Sequence, residues 1–251
     1  MIRENQSADE SPISAGPPAL DSTILRLSHE ELLKAAANPA LTEDLALSLL
    51  QHADLSPDLL EQLAKNGNLL KLRKVKLALA THPHTPRHVS VPLIRQFYTF
   101  DMMKIVLTPS VPADVKVAAE EILIARLKSI TLGERLALAR RGSSRIAGAM
   151  LLDGDARVMR IALENSRLTE MFVIQSVLRP EANAALVQAV AYHSKWSFRR
   201  EVRMALLRTE HLSLARALEF GKGFPLPMLR DVLHSSRLPA RIKDQVLREC
   251  D

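Results

Sequence analysis

One offset constrains this sequence more than any other feature: pieces of it return 127 residues further on. Asn38-x-x-Leu41-Thr42-Glu43 is matched by Asn165-x-x-Leu168-Thr169-Glu170. Val75-Lys76-Leu77-Ala78-Leu79 is matched by Val202-Arg203-Met204-Ala205-Leu206. Val111-Pro112-Ala113-Asp114-Val115-Lys116 is matched by Leu238-Pro239-Ala240-Arg241-Ile242-Lys243. Three separated matches at a single offset, with no gap from about residue 38 to residue 250, point to a duplicated block. Its two copies lie near 38–123 and 165–250, with an intervening segment near 124–157. A chain built by copying must bury its apolar faces between similar neighbours, as repeat arrays do.

Inside each block a shorter signal recurs. It opens with a small or polar pair, adds an apolar residue and a Ser, Thr or Pro, and runs into a new apolar stretch. Asn38–Leu45, Ala53–Leu60, His82–Val89, Thr108–Val115, Asn165–Phe172 and Ser235–Ile242 are copies. Each reads as a helix start. Ser or Thr caps free N–H groups, Pro occupies the first turn, and an acid just inside complements the helix dipole. The residue before a Pro is pushed out of the α region, which closes the helix before it. Ser28-His29-Glu30-Glu31 has the spacing of a capping box, and Gly142 is placed to end a helix. Composition agrees. The chain is 47% apolar but only 4% aromatic, so its core is Leu, Ala, Ile and Val, and it holds eight Gly. Ala and Leu favour helix, whereas aromatic and β-branched residues favour strand. The expectation is an all-α protein of a dozen or more short helices.

The Asn-Pro-x-Leu-Thr, His-Pro-x-Thr-Pro and Val-[Lys/Arg]-x-Ala-Leu pieces resemble the leucine-rich repeat variant family, which is HEAT-like in general appearance. The resemblance covers most of residues 30–250. It implies a right-handed α-solenoid of stacked helical hairpins, a single superhelical domain over residues 23–251. The family alternates a 3₁₀-like helix with an α-helix in even units. Here the spacing between starts (42 to 56, 56 to 86, 86 to 112) is uneven, so pairs of α-helices are expected. One relative carries an iron–sulfur cluster on N-terminal cysteines. The lone cysteine here is Cys250, and that cluster is not carried over.

A single cysteine excludes a disulfide framework within the chain and suits a reducing compartment. Residues 1–22 are polar and rich in Ser, Pro, Asp and Glu, and read as a disordered leader without a signal-peptide core. No run of about 18 apolar residues offers a membrane span. A cytoplasmic protein without membrane insertion is expected. The net charge of +6 is uneven. Residues 1–127 carry 13 Lys/Arg and 15 Asp/Glu, a net of −2; residues 128–251 carry 21 and 13, a net of +8. A basic half can attract an acidic protein or nucleic acid.

No Gly-rich phosphate loop, His-Glu-x-x-His pair or nucleophile elbow is present, so no enzyme and no cofactor is expected. His82, His84 and His88 have metal-like spacing. They coincide with a repeat start broken by Pro83 and Pro86 and have no acidic or thiol companion, so a solvated loop is expected and no metal. Arg73 and Lys76 are matched by Arg200 and Arg203 at 127, and by Arg157 and Arg160 at 84. Residues i and i+3 share a helix face, so these cations are candidates for a partner-binding stripe, or for a ladder of carboxylate pairs. Tyr192 to Arg200 gathers aromatics and cations, and Trp196 is a further candidate contact. Its counterpart Leu69 makes a core or loop anchor the preferred reading of Trp196. The expected function is a non-enzymatic scaffold that holds a protein or peptide on a concave solenoid face. The alternative is nucleic-acid binding by the basic C-terminal half.

Overall fold

Residues 28–250 are described by the computed structural model. The leader assigned to residues 1–22 lies outside them. Among the described residues there are sixteen α-helices and no strand. In chain order they are α1 (His29–Ala37), α2 (Glu43–Gln51), α3 (Pro57–Lys65), α4 (Arg73–Thr81), α5 (Arg87–Ile94), α6 (Thr99–Leu107), α7 (Ala113–Arg126) and α8 (Leu132–Arg141). Then follow α9 (Ser144–Met150), α10 (Ala156–Leu163), α11 (Glu170–Leu178), α12 (Ala184–Ala191), α13 (Arg200–Leu207), α14 (Leu214–Gly221), α15 (Leu226–His234) and α16 (Ala240–Cys250). One 3₁₀ turn, Leu69–Lys71, precedes α4. No helix among the described residues is long and apolar enough to cross a membrane.

Side-chain caps close the starts of α1, α2, α3, α8, α9, α10 and α12, whereas α4, α6, α7, α11, α13, α14 and α15 start without one. Ser28 and Glu31 form a reciprocal capping box at α1, and Thr131 and Glu134 form a second at α8. The Glu31 and Glu134 carboxyls are each held below the ordinary carboxylate range, chiefly by the cap residue's backbone N–H. Thr42 and Ser56 cap α2 and α3. Thr169 makes no cap bond at α11; its hydroxyl instead meets that of Ser144 at 3.2 Å. Gly142 does end α8, but not through a left-handed turn: its φ is −62°. Glycine is required there for space. A Cβ would lie 2.5 Å from the Leu138 carbonyl oxygen and 2.7 Å from Ile146 Cγ2.

The chain divides into two compact units, Met1–Ser90 and Val91–Asp251. In the first, α1 packs on α3, α2 packs on α4, and the 3₁₀ turn packs on α3 and α4. In the second, substantial contacts join helices adjacent in sequence or one apart. The one-apart contacts make two rows. One row runs through α7, α9, α11, α13 and α15; the other includes α6, α8, α10 and α12, and also α14 with α16. This is the contact pattern of stacked helical hairpins, consistent with a helical repeat. The core is mainly aliphatic, with Leu59, Leu60, Leu63 and Leu79 in the first unit and Leu123, Leu138, Val187 and Leu206 in the second, where Trp196 and Phe220 are also buried. Each such side chain contributes roughly 1.5–3 kcal/mol on burial.

The 127-residue offset also runs through the helix boundaries. Helices α1 to α7 begin at residues 29, 43, 57, 73, 87, 99 and 113. Helices α10 to α16 begin at residues 156, 170, 184, 200, 214, 226 and 240. Each start in the second set is 127 beyond its counterpart.

Side chains in the inter-helix loops and last helical turns bond to main-chain carbonyls about one hairpin back. Asn66 Nδ2 donates to the Asn38 carbonyl at 3.0 Å, 28 residues earlier. His82 Nε2 lies 2.9 Å from the His52 carbonyl, and His84 Nδ1 lies 3.1 Å from that of Leu55. In the second unit, Arg126 donates to Phe97, Asn165 to Ala139 and Gly142, Ser176 to Gly148, Trp196 to Leu163, and Ser236 to Leu207. The carbonyls at helix ends lack intrahelical donors. In this ladder Asn165, Trp196 and Ser236 supply them at Ala139, Leu163 and Leu207.

Candidate functional site

The sequence-derived candidates have distinct local fates. Arg157 is locked to Asp155, the cap of α10, by Nε at 3.0 Å and a terminal nitrogen at 2.7 Å. Those bonds hold the Asp155 carboxyl down at about 2. Arg160 is exposed on the same helix. Arg73 is exposed and Lys76 half-buried on α4, in the first unit. Arg200 is exposed on α13, 3.3 Å from Met228 Sδ and above the Phe224 ring. Arg203 is half-buried, with Nε donating to the Ser197 carbonyl at 2.6 Å. Because α10 and α13 belong to different rows, Arg157 and Arg160 do not continue the line of Arg200 and Arg203. Trp196 is 2% exposed. Its indole N–H donates to the Leu163 carbonyl at 3.0 Å and its ring lies under Lys195 Nζ. It anchors the stack between α10 and α13.

His82 and His84 are ladder elements, His82 buried and His84 exposed, and His88 is exposed as a solvated loop residue would be. A carbonyl only accepts, so His82 carries its proton on Nε2 toward His52, and Nδ1 accepts the His84 backbone N–H at 3.2 Å. Burial, the larger effect, lowers the His82 pKa below its ordinary value. His88 points elsewhere, 3.2 Å from Glu61.

Two surface features stand out in the second unit. The first is a groove along the row of α7, α9 and α11. It comprises two adjoining hollows of about 270 Å³ and about 290 Å³ that share Ile124, Ala149, Leu152 and Arg179. Its floor is narrow because Gly148 lets α9 approach α11. A Cβ there would meet Phe172 Cβ at 2.9 Å, and Ser176 Oγ donates to the Gly148 carbonyl. Phe172, Leu152 and Ile124 supply apolar walls. Arg145 is paired with Glu121 at 3.3 Å, and Arg135 with Asp153 at 2.7 Å. Exposed Arg179 and Lys128, also on the lining, have no carboxylate partner among the described residues. A helix-interior glycine in Ser144–Met150 is the sequence signal for this close approach, and the expectations above did not use it.

The second feature is an alternation of rings and guanidiniums. Arg216 lies 4.0 Å from the Tyr192 ring centroid and 5.8 Å from that of Phe220. Arg203 lies 5.1 Å from Phe220 and 5.8 Å from Phe198. All are within cation–π range. Phe220 is buried, whereas the end rings Tyr192 and Phe198 are 58% and 74% exposed. Tyr192 closes α12, Arg216 and Phe220 lie on α14, and Phe198 and Arg203 flank the start of α13. The local sequence signals the aromatics and cations of 192–200, but Arg216 and Phe220 join them only through packing.

No family model, no curated protein and no solved structure matches this chain.

Proposed function

We propose that this chain is a non-enzymatic interaction scaffold. In this reading it is a right-handed, HEAT-like α-solenoid, one superhelical run assembled from two copies of a hairpin block. The coincident helix starts at 127 support the duplication, and the near-neighbour contacts and carbonyl ladder support the stacking. A protein or peptide partner lies along the row of α7, α9 and α11, taken as the concave side. The groove carries this reading. It joins an apolar floor and walls to two exposed cations, the combination that binds an apolar anchor and selects a flanking charge. A segment bearing Leu or Phe beside Asp or Glu fits that chemistry.

The test is a comparative capture from the native host with the full chain and two variants. Ala149→Trp fills the groove; Arg179→Glu reverses one rim charge and leaves the core untouched. A partner retained by the natural sequence and lost with both variants is the expected result. Identical partner sets for all three would defeat the reading.

A further inference from the structure

The Tyr192–Phe198 array lies off the proposed groove and has a different chemistry. Lys195, Arg199, Arg200 and Arg203 bracket it without a carboxylate partner among the described residues, while Arg216 within it pairs with Glu219 at 2.6 Å. Glu201 is the one acid between residues 192 and 203. By contrast, Arg135, Arg145 and Arg157 in the same unit all have carboxylate partners. The two outer rings present open faces to solvent, whereas Trp196 and Phe220 from the same cluster are buried. Arg203 and Arg216 each sit between a buried ring and an exposed one. That holds the outer rings in place from beneath.

We infer that this array is a binding site for single-stranded nucleic acid. Bases stack on the outward surfaces of Tyr192 and Phe198, and the exposed Lys195, Arg199 and Arg200 meet the phosphates. Stacking accepts any base, because every base has a π face, so the site is selective for strand type rather than sequence. An acidic peptide would satisfy the cations but leaves both rings without a stacking partner, so the rings decide between the two.

The probe is a labelled 15-mer of deoxythymidine titrated with the full-length chain across a salt series. The expected slope of log K against log salt is near −2, from about 0.7 for each of three contacted phosphates. Phe198→Ala weakens binding by about tenfold and Phe198→Trp does not, the stacking contribution of one base. Phe198 is largely exposed, so neither change should disturb folding, and unchanged circular dichroism spectra are the control. Ala149→Trp, in the groove, binds the oligonucleotide as the natural chain does, so this inference and the scaffold reading fail separately. Three results would overturn it: no binding at low salt, equal binding of Phe198→Ala, or poly-glutamate of matched charge binding as tightly as the oligonucleotide.

Discussion

At the scale of residues, the ladder donors have the sharpest energetic consequences. Asn165 is buried and its amide satisfies two carbonyls, at 2.8 and 3.2 Å. Asn165→Ala strands both acceptors, and leaving a buried group unsatisfied costs about 1–3 kcal/mol. Trp196→Phe keeps most of the ring but removes the bond to Leu163, so a loss of about 1–3 kcal/mol is expected by chemical denaturation. His82 adds a pH dependence. Its folded pKa lies below the ordinary 6.5, so the unfolded chain takes up the proton first. Its contribution is complete above 6.5 and is lost as pH falls through the lowered folded value. Denaturation midpoints followed from pH 7.5 downward should show a decline that is shallower in His82→Asn. An unchanged slope in the variant would contradict the buried, Nε2-protonated assignment. The sequence placed Asn165 and His82 at repeat starts because of their local spacing. It could not show their carbonyl partners, 23 to 30 residues away.

At the scale of elements, two glycines separate helix propensity from packing. Both lie in helices, Gly133 in α8 and Gly148 in α9. A Cβ at Gly133 meets nothing within 4 Å, whereas one at Gly148 meets Phe172 at 2.9 to 3.0 Å. Gly133→Ala should therefore raise stability by about 0.4–1 kcal/mol through the unfolded chain's entropy. Gly148→Ala gains the same propensity but overpacks α9 against α11, at about 1–3 kcal/mol, for a net loss. Thermal midpoints moving in opposite directions would verify the contrast. Helix starts were the most legible elements, because capping is a matter of three or four consecutive residues. Thr42, Ser56 and the Ser28 box behave as their spacing indicates. Thr169 does not, because Ser144 on a neighbouring helix competes for its hydroxyl.

At the scale of the whole molecule, stability is spread over near-neighbour contacts, which makes perturbations local. Hydrogen exchange on Trp196→Phe should show lost protection in α10, α12 and α13, with α1 and α2 unchanged. Uniform loss across all helices would show a single cooperative core instead. The short sequence separations also favour rapid folding. The sequence alone determined the helical class, the helix starts and the 127-residue period. Capping and hydrophobic repetition are local or periodic properties of a linear string. Tertiary structure decided which side chains face one another. It paired Arg135 with Asp153, buried His82, and brought Arg216 against both Tyr192 and Phe220. It also opened a groove above Gly148. Those outcomes depend on how one helix leans on the next, a geometry set by close packing between elements that no stretch of sequence contains by itself.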